Sequence, residues 1–252
     1  QITATVSEML GLVQMSDFAD RFPRQLSGGQ QQRIALARCL AVEPKILLLD
    51  EPFGALDKNL RLDMQIEIKN LQRQCGITTI LVTHDQEEAL SMADRIAVVN
   101  KGQVEQLATP TEIYDRPATL FVNGFVGTTN LMGGTLSKKS AGTCQVSLDC
   151  GATMTCAVDT ASESGERVVL SVRPENLRLA AGKQANTMPA TVRAVMPLGP
   201  STVYEAALSD GTAIKIVADR DQGADGYRPG DPVLIALASK TSCRVFAEAE
   251  AR

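Results

Sequence analysis

Three short stretches carry residues able to do chemistry. Asp50-Glu51 follows an apolar run, Ile46-Leu47-Leu48-Leu49, and His84, the only histidine of the chain, follows a second run, Thr79-Ile80-Leu81-Val82-Thr83. Each run reads as a strand buried on both faces of a parallel sheet. Both deliver polar groups at a C-terminal strand end, where open α/β sheets bind ligands. Adjacent strand residues face opposite sides, so Asp50 and Glu51 can take different roles. The third stretch is Gln25-Leu26-Ser27-Gly28-Gly29-Gln30-Gln31-Gln32-Arg33. Ser27 is suited to cap a helix, and Gln30, three residues on, completes a capping box. Two glycines leave the first helical turn open, with bare N–H groups and the positive end of the helix dipole facing a ligand, as an anion site requires. Each stretch alone also fits a plainer reading: a capped helix, a solvated loop start, a surface histidine.

The elements that must position them follow from periodicity. Ile34, Ala37, Leu40 and Ala41 recur at helical spacing after Gly29, and Pro44 ends that helix. Upstream, residues 2–15 read as a helix with Val6, Met9, Leu10 and Val13 on one face, and residues 17–22 as a short turn stopped by Pro23. Asp57 is placed to cap a helix carrying Leu60, Met64, Ile68 and Leu71 on one face, and Asp85 to Ala89 opens another. Arg95–Asn100 and Gln103–Leu107 read as a hairpin about Lys101-Gly102. Pro110 and Pro117 are each placed to open a helix, the second running to Phe125.

In this order the motifs resemble those of the ATP-binding cassette (ABC) ATPases: the signature Leu26 to Gln30, the Walker B strand Ile46 to Glu51, the D-loop Ala55-Leu56-Asp57 and the switch histidine His84. The resemblance implies an α/β partial ABC ATPase domain, a P-loop NTPase fold lacking its N-terminal part, over residues 1–127. It implies ATP and Mg²⁺ as cofactors. Glu51 would be the general base and His84 the γ-phosphate sensor. Asp50 would hold Mg²⁺ through water. Ser27, Gly28, Gly29 and Gln30 would close over the ATP of a second subunit, with Asp57 reaching across the same dimer. Asp115-Arg116-Pro117 to Gly127 resembles the hinge of binding-protein-dependent importers.

After Asn130 short β-type runs alternate with Gly, Ser, Asp and Asn, and the half repeats itself. Asp149-Cys150-Gly151-Ala152 is echoed by Asp210-Gly211-Thr212-Ala213, and Gly165 to Leu170 by Gly230 to Ile235, an offset of about 60 to 65 residues. Two small five-stranded barrels, or halves of one, are expected. Val172-Arg173-Pro174-Glu175-Asn176 resembles a motif of the TOBE domain, so residues 128–252 are expected to form an all-β, OB-like accessory domain. The Arg-Pro-Glu is either a strand-ending turn with a salt bridge or a contact to a ligand or partner.

Composition bounds the partners. The 252 residues carry a net charge of −4, no Trp and 4% aromatics, which argues against a nucleic-acid partner. No apolar run approaches the roughly 18 residues of a membrane span, and no signal peptide is evident. The six cysteines form no C-x-x-C pair and stand beside one histidine, so reduced structural thiols are expected ahead of a disulfide or a metal site. A cytosolic setting follows.

No Gly-x4-Gly-Lys-Ser/Thr loop is present in these residues. The sequence therefore reads as the C-terminal part of its parent, expected by itself to bind ATP poorly, to hydrolyse it negligibly and, in its first 127 residues, either to expose apolar surface or to pack differently. The parent is expected to be a homodimeric ATPase at the cytoplasmic face of the inner membrane. Its partners would be transmembrane permease subunits and, indirectly, a periplasmic or extracellular solute-binding protein. Residues 53–63 and 109–127 are closest to spermidine/putrescine importers, with iron(III), phosphonate or sugar import as alternatives. A soluble ABC ATPase of translation or DNA repair, and a regulatory, ligand-sensing β module, are the rival classes.

Overall fold

In the computed structural model, residues 2–54, 58–157, 160–180, 182, 185–220 and 226–251 are described. They divide into two compact units, one of residues 1–96 and 108–110, the other of 97–107 and 111–252.

The first unit holds helix α1 (Ile2–Leu12), helix α2 (Gly28–Leu40), strand β1 (Ile46–Asp50), helix α3 (Lys58–Cys75), strand β2 (Thr78–Val82) and helix α4 (Gln86–Met92). Strands β1 and β2 pair in parallel, Leu48 opposite Ile80 and Asp50 opposite Val82. The core joins Leu36, Ala37 and Leu40 of α2, Leu47 of β1, Phe53, and Met64, Ile68 and Leu71 of α3, as helical spacing requires. Met9 and Leu10 pack against it, whereas Val6 is exposed.

The expectation that β1 is buried on both faces is corrected. Leu47 is buried, but Leu48 is 70% exposed, and Ile46, Ile80 and Val82 are exposed as well. The side chains alternate, so the helices cover the Leu47 face of this two-stranded sheet and leave the other face apolar and open.

The second unit begins with the hairpin β3 (Ile96–Asn100) and β4 (Gln103–Ala108), apart from its outermost residues. Lys101 and Gly102 both take positive φ at its turn, 49° and 80°, the conformation of a type I′ hairpin. Helix α5 (Pro110–Asp115) opens on its proline as expected. Helix α6 (Leu120–Phe125) does not open at Pro117: Thr119 caps it, its side chain accepting from the Val122 N–H. The boundary between the two units falls near residue 97, and α6 is bonded to the β-rich part. The Arg173 guanidinium donates to the carbonyl of Asn123, and the Asn123 amide donates to Ser171.

Among the described residues ten strands follow: β5 (Asn130–Ser140), β6 (Thr143–Leu148), β7 (Thr153–Cys156), β8 (Arg167–Val172), β9 (Leu177–Ala180), β10 (Thr187–Pro197), β11 (Ser201–Leu208), β12 (Ala213–Asp219), β13 (Pro232–Leu237) and β14 (Arg244–Ala247). They form two five-stranded sheets, in the orders β14-β8-β5-β6-β7 and β9-β13-β10-β11-β12. The internal repeat is reproduced in hydrogen bonds. Gly151 N–H donates to Leu148 O and Gly211 N–H to Leu208 O; Leu136 N–H donates to Glu166 O and Val192 N–H to Asp231 O.

The fifth strands are exchanged. Strand β9 pairs with β13, and β14 with β8, so each repeat completes the other's sheet. One core is shared, from Leu136, Val146 and Leu170 of the first sheet to Tyr204, Ile214 and Ile235 of the second. Of the two expected arrangements, two barrels or halves of one, the repeats form the second: a single, interlocked β-domain. All six cysteines are free, with Cys144 of β6 opposite Cys156 of β7 inside that core.

Candidate active site

The candidate site lies within the first unit, where parallel pairing sets the ends of β1 and β2 side by side. The Glu51 N–H donates to Val82 O at 2.9 Å, extending the ladder one residue beyond β1. Glu51 takes a left-handed φ of 43°. Such a backbone costs a non-glycine residue of the order of about 1–3 kcal/mol and is held only where its surroundings over-determine it. The turn turns the Glu51 carboxylate toward His84: Oε1 and Nδ1 are 2.9 Å apart. Both side chains face solvent, 54% and 78% exposed. The hydrogen bond to Glu51, with that carboxylate's charge, holds the His84 imidazole above its ordinary pKa. Asp50, the last residue of β1, is exposed.

The segment carrying His84 is fixed by a network that its sequence does not announce. Thr83 Oγ1 donates to the Glu88 carboxylate at 2.6 Å, and the Asp85 N–H donates to Thr83 Oγ1. The Asp85 carboxylate caps α4, accepting from the Glu87 and Glu88 N–H groups, and takes an ion pair from Arg61 of α3 at 2.6 Å. Glu88 is only 3% exposed. In sequence it looks like one more acid in a helical first turn; its burial depends on Arg61 and Thr83, which no spacing rule connects to it.

The glycine-rich helix start is built as expected. Ser27 Oγ accepts from the Gln30 N–H, and Gln30 Oε1 accepts from the Ser27 N–H at 2.9 Å. Among the described bonds none uses the N–H of Gly28 or Gly29, and a Cβ at Gly28 would meet nothing within 4 Å. The open space at Gly28 fits a phosphate oxygen, whereas Gly29 beside it is buried. Gln32, in the next turn, donates to the carbonyl of Pro52, tying α2 to the segment just beyond Glu51. No hydrogen bond among the described residues joins Ser27 to Gln30 directly to Glu51 or His84. Asp57 lies outside the described residues. No group of three or more His, Cys, Asp or Glu is arranged among them to hold a metal ion. A single exposed carboxylate such as Asp50 is compatible with Mg²⁺, which keeps most of its waters and takes one or two carboxylates plus substrate phosphates.

Residues 1–54 match the ABC transporter family, and residues 170–246 match the TOBE domain. The chain joins part of an ABC transporter domain to a TOBE domain. The spermidine/putrescine import ATP-binding protein PotA of Pseudomonas fluorescens is 48% identical over 216 residues, 86% of this chain and 58% of that protein. PotA 1 of Pseudomonas aeruginosa is 44% identical over 242 residues, 96% of this chain and 65% of that protein. Among solved structures, CbiO1 from Clostridium perfringens, part of the ABC transporter complex CbiONQ, aligns with a TM-score of 0.43 at 32% identity, over 44% of this chain and 45% of that one. The chain spans about three fifths of the length of the curated relatives it matches. The ABC segment thus carries the capped helix α2 and the Asp50-Glu51 turn, and the TOBE domain carries β8 through β14.

Proposed function

We propose that this chain is part of the ATP-hydrolysing subunit of an ABC importer for polyamines. The observation that carries the reading is the Glu51–His84 pair, set 2.9 Å apart at the ends of two parallel strands and open to solvent. Its support is the likeness to spermidine/putrescine import proteins across most of the chain. In this reading the Glu51 carboxylate accepts the proton of the attacking water, a contribution of about 10²- to 10⁴-fold in rate. His84 contacts the γ-phosphate and, through Nδ1, keeps Glu51 oriented. Asp50 would hold Mg²⁺ through water, and the ion, when bound, would neutralise charge on the phosphates.

Ser27 Oγ and the Gly28 and Gly29 N–H groups act on the γ-phosphate held by a second copy of the subunit, with Gln30 supporting them and Asp57 crossing the same interface. The assembly would be a homodimer on the cytoplasmic face of the membrane, docked to permease subunits and fed by a solute-binding protein. No described helix is long and apolar enough to cross a membrane by itself.

The test is uptake of labelled spermidine by cells of the source organism carrying Glu51→Gln in the chromosomal gene. Uptake should fall about 100-fold or more at unchanged protein level. Undiminished polyamine uptake refutes the substrate, and undiminished ATP hydrolysis by the purified membrane complex refutes the role of Glu51.

A further inference from the structure

Helix α3 carries two stripes. Met64, Ile68 and Leu71 enter the core. Arg61, Gln65 and Lys69, each four residues from the next, form a polar stripe on another face. That stripe meets α4 at both of its ends. Arg61 Nη1 pairs with Asp85 Oδ2 at 2.6 Å and stands 3.9 Å from Glu88 Oε1. One turn on, Gln65 Oε1 accepts from Ser91 Oγ at 3.4 Å, and a turn further Lys69 Nζ donates to the Ser91 carbonyl at 2.6 Å.

The backbone on either side of His84 is therefore held. Thr83 is tied to Glu88 by its hydroxyl, and Asp85 is tied to α3 by Arg61. The Glu51–His84 contact has no such support of its own, because both side chains face solvent. An exposed pair of this kind is worth little by itself, so its persistence depends on where the backbone sets the two groups. The network behind it is costly by comparison. The Glu88 side chain is 4% exposed, and a buried carboxylate needs both a hydrogen bond and a compensating charge. Thr83 supplies the first and Arg61 the second. Apolar side chains of similar volume often hold two helices together at least as well as a buried ion pair does. What the charged network adds is a fixed geometry at Thr83 and Asp85, and His84 lies between them.

We propose that Arg61 is a positioning residue for ATP hydrolysis: its ion pairs tie the His84 segment to α3 and hold the imidazole against the Glu51 carboxylate. The proposal rests on the reading of Glu51 and His84 as the hydrolytic pair.

The test has two readouts. The first is the titration of His84, the only histidine, by NMR of this chain without nucleotide. The acids acting on it are Glu51 at the end of β1 and Asp85 and Glu88 of the α4 segment, the last two paired with Arg61. Removing the Arg61 cation by itself strengthens the pull of Asp85 and Glu88 and moves the midpoint up. Losing the Glu51 contact moves it down toward 6.5. Arg61→Gln should lower the midpoint. Arg61→Lys should restore most of it, since both ion pairs run through one nitrogen, Nη1, which an ammonium can replace. Arg61→Gln combined with Glu88→Gln removes one charge of each sign and leaves no buried carboxylate uncompensated, so it decides the matter even where Arg61→Gln alone fails to fold. It should lower the midpoint as well.

The second readout is ATP hydrolysis by the purified membrane complex of the full-length subunit. Arg61→Gln should lower kcat by about 10- to 100-fold at nearly unchanged KM, and Arg61→Lys should recover most of the loss. A midpoint that stays or rises in the double variant overturns the proposal and leaves Arg61 a purely structural role, whatever happens to the melting temperature. Full-rate hydrolysis by Arg61→Gln also overturns it. If Glu51→Gln is then inactive, only the positioning role fails; if Glu51→Gln is fully active too, the reading of the hydrolytic pair fails with it.

Discussion

Val245 belongs to the last strand of the chain, yet it sits opposite Leu170 in the sheet of the first repeat. It is 8% exposed and packs into the shared core. Val245→Ala removes two methyl groups. At about 0.8 kcal/mol per methylene-sized group the transfer loss is about 1.6 kcal/mol, and the cavity brings it to about 2 kcal/mol. That is a large part of a total stability of about 5–15 kcal/mol. The location of the loss is the diagnostic quantity, and native-state hydrogen exchange reads it amide by amide. Amides of β8 should exchange faster by about 30-fold, the equivalent of 2 kcal/mol. Those of β13, nearer to Val245 in sequence, should change least at low denaturant. Leu179→Ala on β9 is the mirror experiment, since Leu179 stands opposite Ile235 of β13. It should loosen β13 and spare β8. If Val245→Ala loosens β13 and leaves β8 protected, the fifth strands are not exchanged and the reasoning fails.

Two further outcomes follow from the electrostatics and the burial. Because His84 is the only histidine, its imidazole resonances need no assignment; they should titrate above the ordinary value of 6.5, and Glu51→Gln should bring the midpoint down. The sign is that of a raised pKa: whatever the protonated pair contributes to folding is complete below the unfolded value and is lost as pH rises through the folded one. A midpoint at or below 6.5 in the unmodified chain would show that the Glu51 contact is not made in solution. Ellman's reagent should modify the exposed Cys39 and Cys75 in the folded chain, whereas the buried Cys144, Cys156 and Cys243 should react only on unfolding. Hydrogen bonds to Cys144 and Cys243, together with burial, hold the Cys156 thiol far above its usual pKa, so it lacks the thiolate that reacts. Fast modification of the three buried thiols without denaturant would contradict the packing.

What could be read from the sequence was local. The capping box at α2 depends on Ser27 and Gln30, three residues apart, and the two bonds form as their spacing requires. Glu51 and His84 could each be picked out by the apolar run before it. The contact between them required β1 and β2 to be parallel neighbours, which the runs suggested without setting the register. The β1 burial went astray because apolar character reports a wish to be covered, and Ile46 and Leu48 have no cover among the described residues. Glu88 is inconspicuous in sequence for the opposite reason: a carboxylate in a helical first turn satisfies a local rule, and only Arg61, 27 positions earlier in the chain, with Thr83 turns it into a buried anchor for the histidine segment. The Arg-Pro-Glu turn divides in the same way. Its turn is local, whereas Arg173 reaches Asn123 and Thr128 in place of a salt bridge, and Glu175 accepts from the Tyr114 hydroxyl.

The repeat itself was visible because its turns need particular residues. Gly151 and Gly211 adopt φ of 83° and 89°, and Gly165 and Gly230 adopt 96° and 98°, conformations that favour glycine at all four positions. The strand exchange has no such marker, since β9 and β14 are short and carry no glycine of their own. Its logic lies in the sheet edges. Strand β8 is buried along nearly its whole length and would leave a bare edge without a partner; β14 covers it, and β9 does the same for β13. The outer edges are treated equivalently. Asn130 exchanges two hydrogen bonds with the backbone of Lys215 on β12, and Asn186 exchanges two with Thr155 on β7. Each asparagine amide takes the place of a neighbouring strand at that point and blocks the addition of another. Each repeat therefore supplies its partner with both a fifth strand and an edge cap. Neither can complete its sheet alone, which explains why a motif that recurs in sequence produces one core and not two.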